Sequence, residues 1–171
     1  YQFDDIIATV HRMRPEAKVT GVLVQSMVVR RDGRELMIGV MTDPAFGPAI
    51  SFGSGGVAVE LLRDNAVGLP PLNVRLAGDL IDRTRAARLL GAYRNVPAAN
   101  RDALIDVLLR VSDLVCALPW VAEMDINPLL LDPTGAVALD ARVVLDPTRR
   151  HLDSRYSHLA IHPYPEALEA I

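Results

Sequence analysis

The run from Glu123 to Val143, EMDINPLLLDPTGAVALDARV, most constrains what this chain can become. Two apolar stretches flank Asp132, Pro133, Thr134 and Gly135, a turn signature in which an Asx residue leads, proline brings a preset φ and glycine closes. The run therefore predicts two antiparallel strands. If the loop consists of Pro133 and Thr134, Asp132 faces Gly135 and, further out, Asn127 faces Asp140. Cβ atoms of facing residues lie roughly 5 Å apart, which suits two oxygen donors on one small cation. Magnesium takes carboxylate and carbonyl oxygens, keeps several waters and is commonly completed by substrate phosphates. A type I turn with a glycine bulge would instead slip the register by one residue and send the two side chains to opposite faces. Asn-Pro is also a common turn starter, and Asp140 has Arg142 nearby or solvent to meet. Spacing alone leaves these alternatives open.

Composition narrows the class. A chain of 171 residues is one domain or a large piece of one, and with half its residues apolar it can bury a sizeable core. The net charge of -3 and the lack of a basic run give no footprint for nucleic acid. Cys116 falls on the apolar side of a predicted helix and reads as a core residue, with no second cysteine to form a disulfide. No apolar run reaches membrane-spanning length and no signal-peptide pattern is visible, so a cytoplasmic location is expected. The chain begins at Tyr1 directly in a helical pattern, and an excised fragment is expected.

Taken in order, Phe3, Ile6, Ile7, Val10 and Met13 predict a helix that Pro15 closes. Val22 to Val29 predicts a strand containing Gln25, with a turn at Arg31, Asp32 and Gly33 and a returning partner strand from Glu35 to Thr42. That hairpin would lie beside the Glu123–Val143 hairpin in one sheet and bring Gln25 and Glu35 toward the same polar face. Ala49 to Phe52 reads as a short strand. Val57 to Leu62 and Asn65 to Leu69 read as short extended pieces.

Asn73 is placed to cap a helix that buries Leu76, Ala77, Leu80 and Ile81, and Arg85 to Tyr93 predicts a short separate helix. Asn100 caps a longer one with Leu104, Val107, Leu108, Val111, Leu114, Val115 and Leu118 along its stripe. From Asp146 on, no periodicity remains, and a linker or packed tail is expected. The whole predicts an α+β fold, a largely antiparallel sheet with helices packed on one face.

Each polar feature has a plain alternative. Gln25 inside a valine run could be a structural hydrogen-bonding amide, and Glu35 a solvated carboxylate. The FGSGG run, which includes Gly55 and Gly56, could cradle phosphate through backbone N–H groups. It lacks the P-loop lysine, however, and leads into a β-rich stretch. Glu123 and Asp125 share the side of Asn127 and read as outer carboxylates or as a solvent face. The histidines lack metal-ligand spacing.

GVLVQSMV, then RELMIGVMTDPAFGPAISFGSGGVAVELLRD, LPPLN, and EMDINPLLL with AVALDARV resemble the ATP-grasp domain of ADP-forming acyl-CoA synthetases, in order and spacing, from Lys18 to Leu145. DPAFGP and DINPLL are the specific strings. The tail YSHLAIHPYPEAL resembles the connector that precedes a GNAT acetyltransferase domain in bacterial protein lysine acetyltransferases fused to such a synthetase. The resemblance implies that residues 1–145 form the second half of an ATP-grasp module, with 146–171 leading to a missing downstream GNAT domain. It implies ATP or ADP and Mg²⁺ as ligands, with CoA used elsewhere in the parent protein.

It also implies roles residue by residue. Asn127 and Asp140 match the Mg²⁺-holding asparagine and aspartate of the wider succinyl-CoA synthetase family, here on a hairpin one residue shorter. Gln25 matches a nucleotide-contacting position, although the family's acidic residue would carry a charge that glutamine lacks. Glu35 matches an ELxxG position near the phosphates. The implied partners are the first ATP-grasp half and the CoA-binding and ligase domains, and exposed apolar surface could drive homo-oligomerisation. Alone, the chain is expected to catalyse nothing. The alternative is a regulatory domain that senses acyl-CoA or nucleotide for the acetyltransferase.

Overall fold

The structure is a computed structural model that describes residues 2–43, 46–56 and 64–151. Its elements are α1 (Gln2–Met13), β1 (Arg34–Asp43), β2 (Gly47–Ser54), β3 (Asn65–Gly68), α2 (Val74–Asp82), α3 (Arg101–Ala117), β4 (Val121–Asp132), β5 (Gly135–Ala138) and β6 (Ala141–Leu145). Short 3₁₀ turns occupy Ala86–Leu90 and Pro147–His151. The strands form one antiparallel sheet in the order β3-β2-β1-β4-β5, with β6 continuing along the same long strand β4. The α+β expectation of an antiparallel sheet with helices on one face is met.

Alternation builds the core. Leu36, Ile38 and Val40 of β1 and Ile50 and Phe52 of β2 turn to one side and are buried. Ala77, Leu80 and Ile81 of α2 and Leu104, Leu108, Val111 and Val115 of α3 complete the same cluster from above. Each fully buried Leu, Ile or Phe contributes roughly 1.5–3 kcal/mol relative to exposure. Both helices start at the expected caps: Asn73 Oδ1 accepts from the Leu76 N–H at 2.9 Å, and Asn100 Oδ1 from the Ala103 N–H at 3.0 Å. Leu76 and Leu114, expected on the buried stripes, lie at their margins instead, at 44% and 36% exposure. Cys116 is buried, as expected, and burial pushes its thiol pKa up, with Asp113 adding to the effect.

The expected strand at Val22–Val29 does not form. Residues 17–30 carry no regular structure, and Leu23, Val24, Met27 and Val29 are 82–89% exposed. The hairpin it was to make with Glu35–Thr42 is therefore absent, and with it the shared polar face for Gln25 and Glu35. A strand needs a ladder partner, and both edges of β1 are taken, by β2 along its length and by β4. The predicted short strand at Ala49–Phe52 is in fact the eight-residue β2, locked to β1 from Asp43↔Gly47 to Leu36↔Ser54. The helix α1 forms where predicted but buries none of its residues. The predicted helix at Arg85–Tyr93 is the 3₁₀ turn Ala86–Leu90. The extended piece predicted at Val57–Leu62 lies outside the described residues, as does the tail beyond His151.

One carboxylate ties three parts of the chain together. Asp132 Oδ1 accepts from the Thr134 N–H (2.7 Å), the Thr134 hydroxyl (2.6 Å) and the Gly135 N–H (3.0 Å). Its Oδ2 takes the Arg30 guanidinium at 2.5 Å, and its carbonyl accepts the Asn100 N–H at 2.9 Å. The Thr134 hydroxyl first, then Arg30, hold its pKa down to about 2. A carboxylate whose folded-state pKa lies below its unfolded value stabilises the fold above about pH 4. That contribution is lost as pH falls from there toward about 2. In urea titrations across that window, stability should fall more steeply for the parent than for Asp132→Asn. Parallel pH profiles for the two proteins would refute this.

Candidate metal site

The site is set by an irregularity in β4. Leu36 of β1 pairs with Leu129, and Ile38 pairs with Ile126. Between those pairs β1 has one residue, Met37, and β4 has two, Asn127 and Pro128. This is a β-bulge, and proline suits it because it has no N–H to give to the ladder. The extra residue reverses the phase of the strand. Met124 and Ile126 before it, and Leu129 and Leu131 after it, all reach the core, while Asn127 stays with Glu123 and Asp125 on the face that no helix covers.

On its other side β4 is followed through the same bend without slippage. Leu129 faces Ala138 and Ile126 faces Ala141, which leaves Asn127 directly across from Asp140. The Asn127 N–H donates to the Asp140 carbonyl at 3.2 Å, and the Leu139 N–H to the Pro128 carbonyl at 3.0 Å. Of the two registers the sequence left open, the two-residue loop at Pro133 and Thr134 is the one present. Facing residues in an antiparallel pair project to the same side.

Asn127 is half-buried and Asp140 exposed. The orientation of the amide is set by a donor: Asn127 Oδ1 accepts from the Gly56 N–H at 3.1 Å. An amide oxygen has two lone pairs, so the second remains for a cation. The Gly55 N–H in turn donates to the Glu35 carbonyl at 2.9 Å. Both glycines are required, Gly55 by its space and Gly56 by its backbone conformation, since the Glu35 carboxylate beside Gly56 is the movable end of a side chain. A Cβ at Gly55 would strike the Leu36 backbone, and one at Gly56, whose φ is +68°, would strike the Glu35 carboxylate.

Glu35, Gly55, Gly56, Asn127 and Asp140 are thus brought into one neighbourhood. The roles of the glycines differ from a phosphate cradle, because both N–H groups are spent inside the protein, one of them in aiming Asn127. That contact links two distant turns, and no local spacing signalled it. Gln25 is not brought in. It is exposed on the segment without regular structure and makes no hydrogen bond with a described residue.

Glu123 and Asp125 are exposed beside Asn127. Among the described residues, no three His, Cys, Asp or Glu side chains cluster as a metal cage. The donor set is therefore one amide oxygen and one carboxylate, with the remaining positions open to water and ligand. Such a set fits Mg²⁺, which is bound through one or two carboxylates and substrate oxygens. It does not fit a structural zinc centre, which needs four nitrogen or sulfur ligands.

With this arrangement the chain matches the family model for the ATP-grasp domain over residues 1–145, and it belongs to that family. More narrowly, it is an ATP-grasp domain like those of ADP-forming acetyl-CoA synthetase β subunits. It is 42% identical over 143 residues to acetate–CoA ligase [ADP-forming] I of Archaeoglobus fulgidus, covering 84% of this chain and 21% of that protein. It is 35% identical over 143 residues to the acetate–CoA ligase [ADP-forming] I subunit beta of Pyrococcus furiosus, covering 84% and 61%. Among solved structures it resembles the dinucleotide-forming acetyl-coenzyme A synthetase 1 of Ca. Korarchaeum cryptofilum in complex with coenzyme A, Ca-AMPCP and HgCl⁺. That likeness has a TM-score of 0.77 and 38% identity, covering 84% of this chain and 62% of that one. The chain thus spans less than two thirds of each of these three proteins.

Gly56→Ala should be destabilising, since its φ of +68° is left-handed and costs a non-glycine residue about 1–2 kcal/mol. Urea denaturation measures the loss. An unchanged midpoint would show that the turn relaxes freely.

Proposed function

We propose that this chain is the Mg²⁺- and nucleotide-binding half of the ATP-grasp module of an ADP-forming acyl-CoA synthetase-like protein. The observation that carries the proposal is the facing pair, Asn127 and Asp140, held in register across β4 and the β5–β6 connection, with Gly56 fixing the amide. Such a pair would hold Mg²⁺ through Asn127 Oδ1 and the Asp140 carboxylate. Bound there, the ion would offset the charge spread over the oxygens of a transferring phosphoryl group. Gly55 and Gly56 keep the amide aimed and Glu35 against the turn, and ATP or ADP supplies the remaining ligands.

Gln25 is proposed as a nucleotide contact that becomes positioned only when residues 17–30 pack against the first ATP-grasp half. The exposed Leu23, Val24, Met27 and Val29, together with the uncovered stripe of α1, are the surface offered to that half. CoA and the phosphoryl-accepting histidine would belong to other domains of the parent, so turnover requires those parts. A cytoplasmic location is part of this proposal. Among the described residues no helix is long and apolar enough to cross a membrane.

A second reading rests on the tail's likeness to a GNAT connector: the module serves a protein lysine acetyltransferase as a sensor of nucleotide or acyl-CoA, without synthetase turnover. ADP-forming acyl-CoA synthesis by the complete protein separates the two.

For the metal pair, Asn127→Ala and Asp140→Ala in the complete ATP-grasp module should each weaken Mg-ATP binding by roughly tenfold or more, as expected when a charged or oriented ligand worth about 1.4 kcal/mol or more is removed. Binding measured without Mg²⁺ should be unchanged. Calorimetric titration reads both, and equal Mg-ATP affinity across parent and variants would sink the assignment.

A further inference from the structure

We infer that Arg142 is a phosphate-binding residue of this nucleotide site, an inference that rests on the proposed Mg²⁺–nucleotide reading. Arg142 directly faces Asp125 across β4 and β6. The two therefore share the open face with Asn127 and Asp140, two residues further along the same ladder, past the Ile126–Ala141 pair. Two residues along a strand cover roughly 7 Å, within reach of a phosphate chain whose far end lies on a cation at Asn127 and Asp140. Arg142 and Asp125, with Glu123 and Met41, line a hollow of about 300 Å³ on that face.

The default for such a guanidinium is an ion pair with the carboxylate opposite, and that pair is not formed. Arg142 is exposed and makes no hydrogen bond or ion pair with any described residue. Charge supplies the second argument. Glu123, Asp125 and Asp140 put three negative charges on this face, and a divalent ion offsets two of them. A polyphosphate approaching that surface would still be repelled. Arg142 is the one cation among the described residues that line the hollow, and its planar fork matches phosphate oxygens in a way a point charge does not. It balances the remaining carboxylate and gives the phosphates a donor.

The test is calorimetric titration of the complete ATP-grasp module with Mg-ATP and with adenosine, for the parent, Arg142→Met, Arg142→Lys and Asn127→Ala. Arg142→Met keeps most of the aliphatic stem on an exposed side chain, so the melting temperature should not move. It should weaken Mg-ATP by about tenfold, as for loss of one charge-assisted contact, while leaving adenosine affinity and the Mg²⁺ dependence intact. Arg142→Lys should recover part of the loss. Unaltered Mg-ATP affinity in Arg142→Met beside a loss in Asn127→Ala would overturn the role of Arg142 and leave the metal pair standing. A parallel fall in adenosine affinity would also overturn it, because the residue would then act on the nucleoside or the fold. Absence of Mg-ATP binding by the parent itself would overturn both this inference and the reading beneath it.

Discussion

The bulge at Asn127 and Pro128 is the constraint on which the rest of the structure depends. Strand β4 pairs with β1 on one side and with β5 and β6 on the other, and it sends apolar side chains into the core from Val121 to Leu131. Strict alternation would fix one phase from Val121 to Asp132 and leave either Ile126 or Leu129 facing water. Two residues set against Met37 remove that conflict. The same insertion lifts Asn127 out of the regular ladder on the β1 side, where its amide oxygen meets the Gly56 N–H from the end of β2. Core packing and the aim of the Asn127 amide are therefore settled by one irregularity. A proline at its second position is compatible because that position has no ladder donor to lose.

A bulge would be useless if it also disturbed the neighbouring hairpin, since a one-residue slip would carry Asp140 to the other face. Register there is held from the far end. The Asp132 carboxylate fills the turn with donors from Thr134 and Gly135, so the two-residue loop has little freedom to open. Arg30 joins the same carboxylate from outside and also donates to the Thr134 hydroxyl. Close by, Arg34 spreads its guanidinium over the carbonyls of Asp32, Leu89, Gly91 and Pro97, binding the start of β1 to the loop before α3. Glu35, the next residue, therefore begins from a fixed backbone.

Much of this was legible in the sequence, and the legible parts have local causes. Turn chemistry at Asp132 to Gly135 gave the hairpin but left its register open between two loops. Asparagine caps gave the starts of α2 and α3, and helical stripes gave most of their buried residues. The failures are non-local. Val22–Val29 has the composition of a strand, but composition cannot provide a partner, and β1 had none to spare. The extent of β2 was underestimated because glycine and serine in Phe52–Gly56 resemble a turn, whereas Gly53 and Ser54 continue the ladder to Met37 and Leu36. At the site, the facing of Asn127 and Asp140 could be read from the hairpin as one of two registers, and the ladder selects it. The Gly56–Asn127 contact could not, because it joins residues 71 apart in the chain. The bulge had a signal, proline within a predicted strand, but the sequence reading set it only against a turn starter and not against a bulge.

The two faces of the sheet also divide the consequences of change. Substitutions at Leu36, Ile38 or Phe52 act on a face closed by helices, where lost volume leaves a cavity and the cost is stability. Asn127, Asp125, Asp140 and Arg142 lie on the open face, where none of them supports the core. Charge accumulates there without the desolvation that would neutralise it in the interior. A surface holding three carboxylates and one guanidinium is poorly adapted for packing against another apolar layer, and well adapted for a bound cation and its anionic ligand. Exposed apolar side chains, by contrast, gather on α1 and residues 17–30, at Phe3, Ile6, Met13, Leu23, Val24, Met27 and Val29.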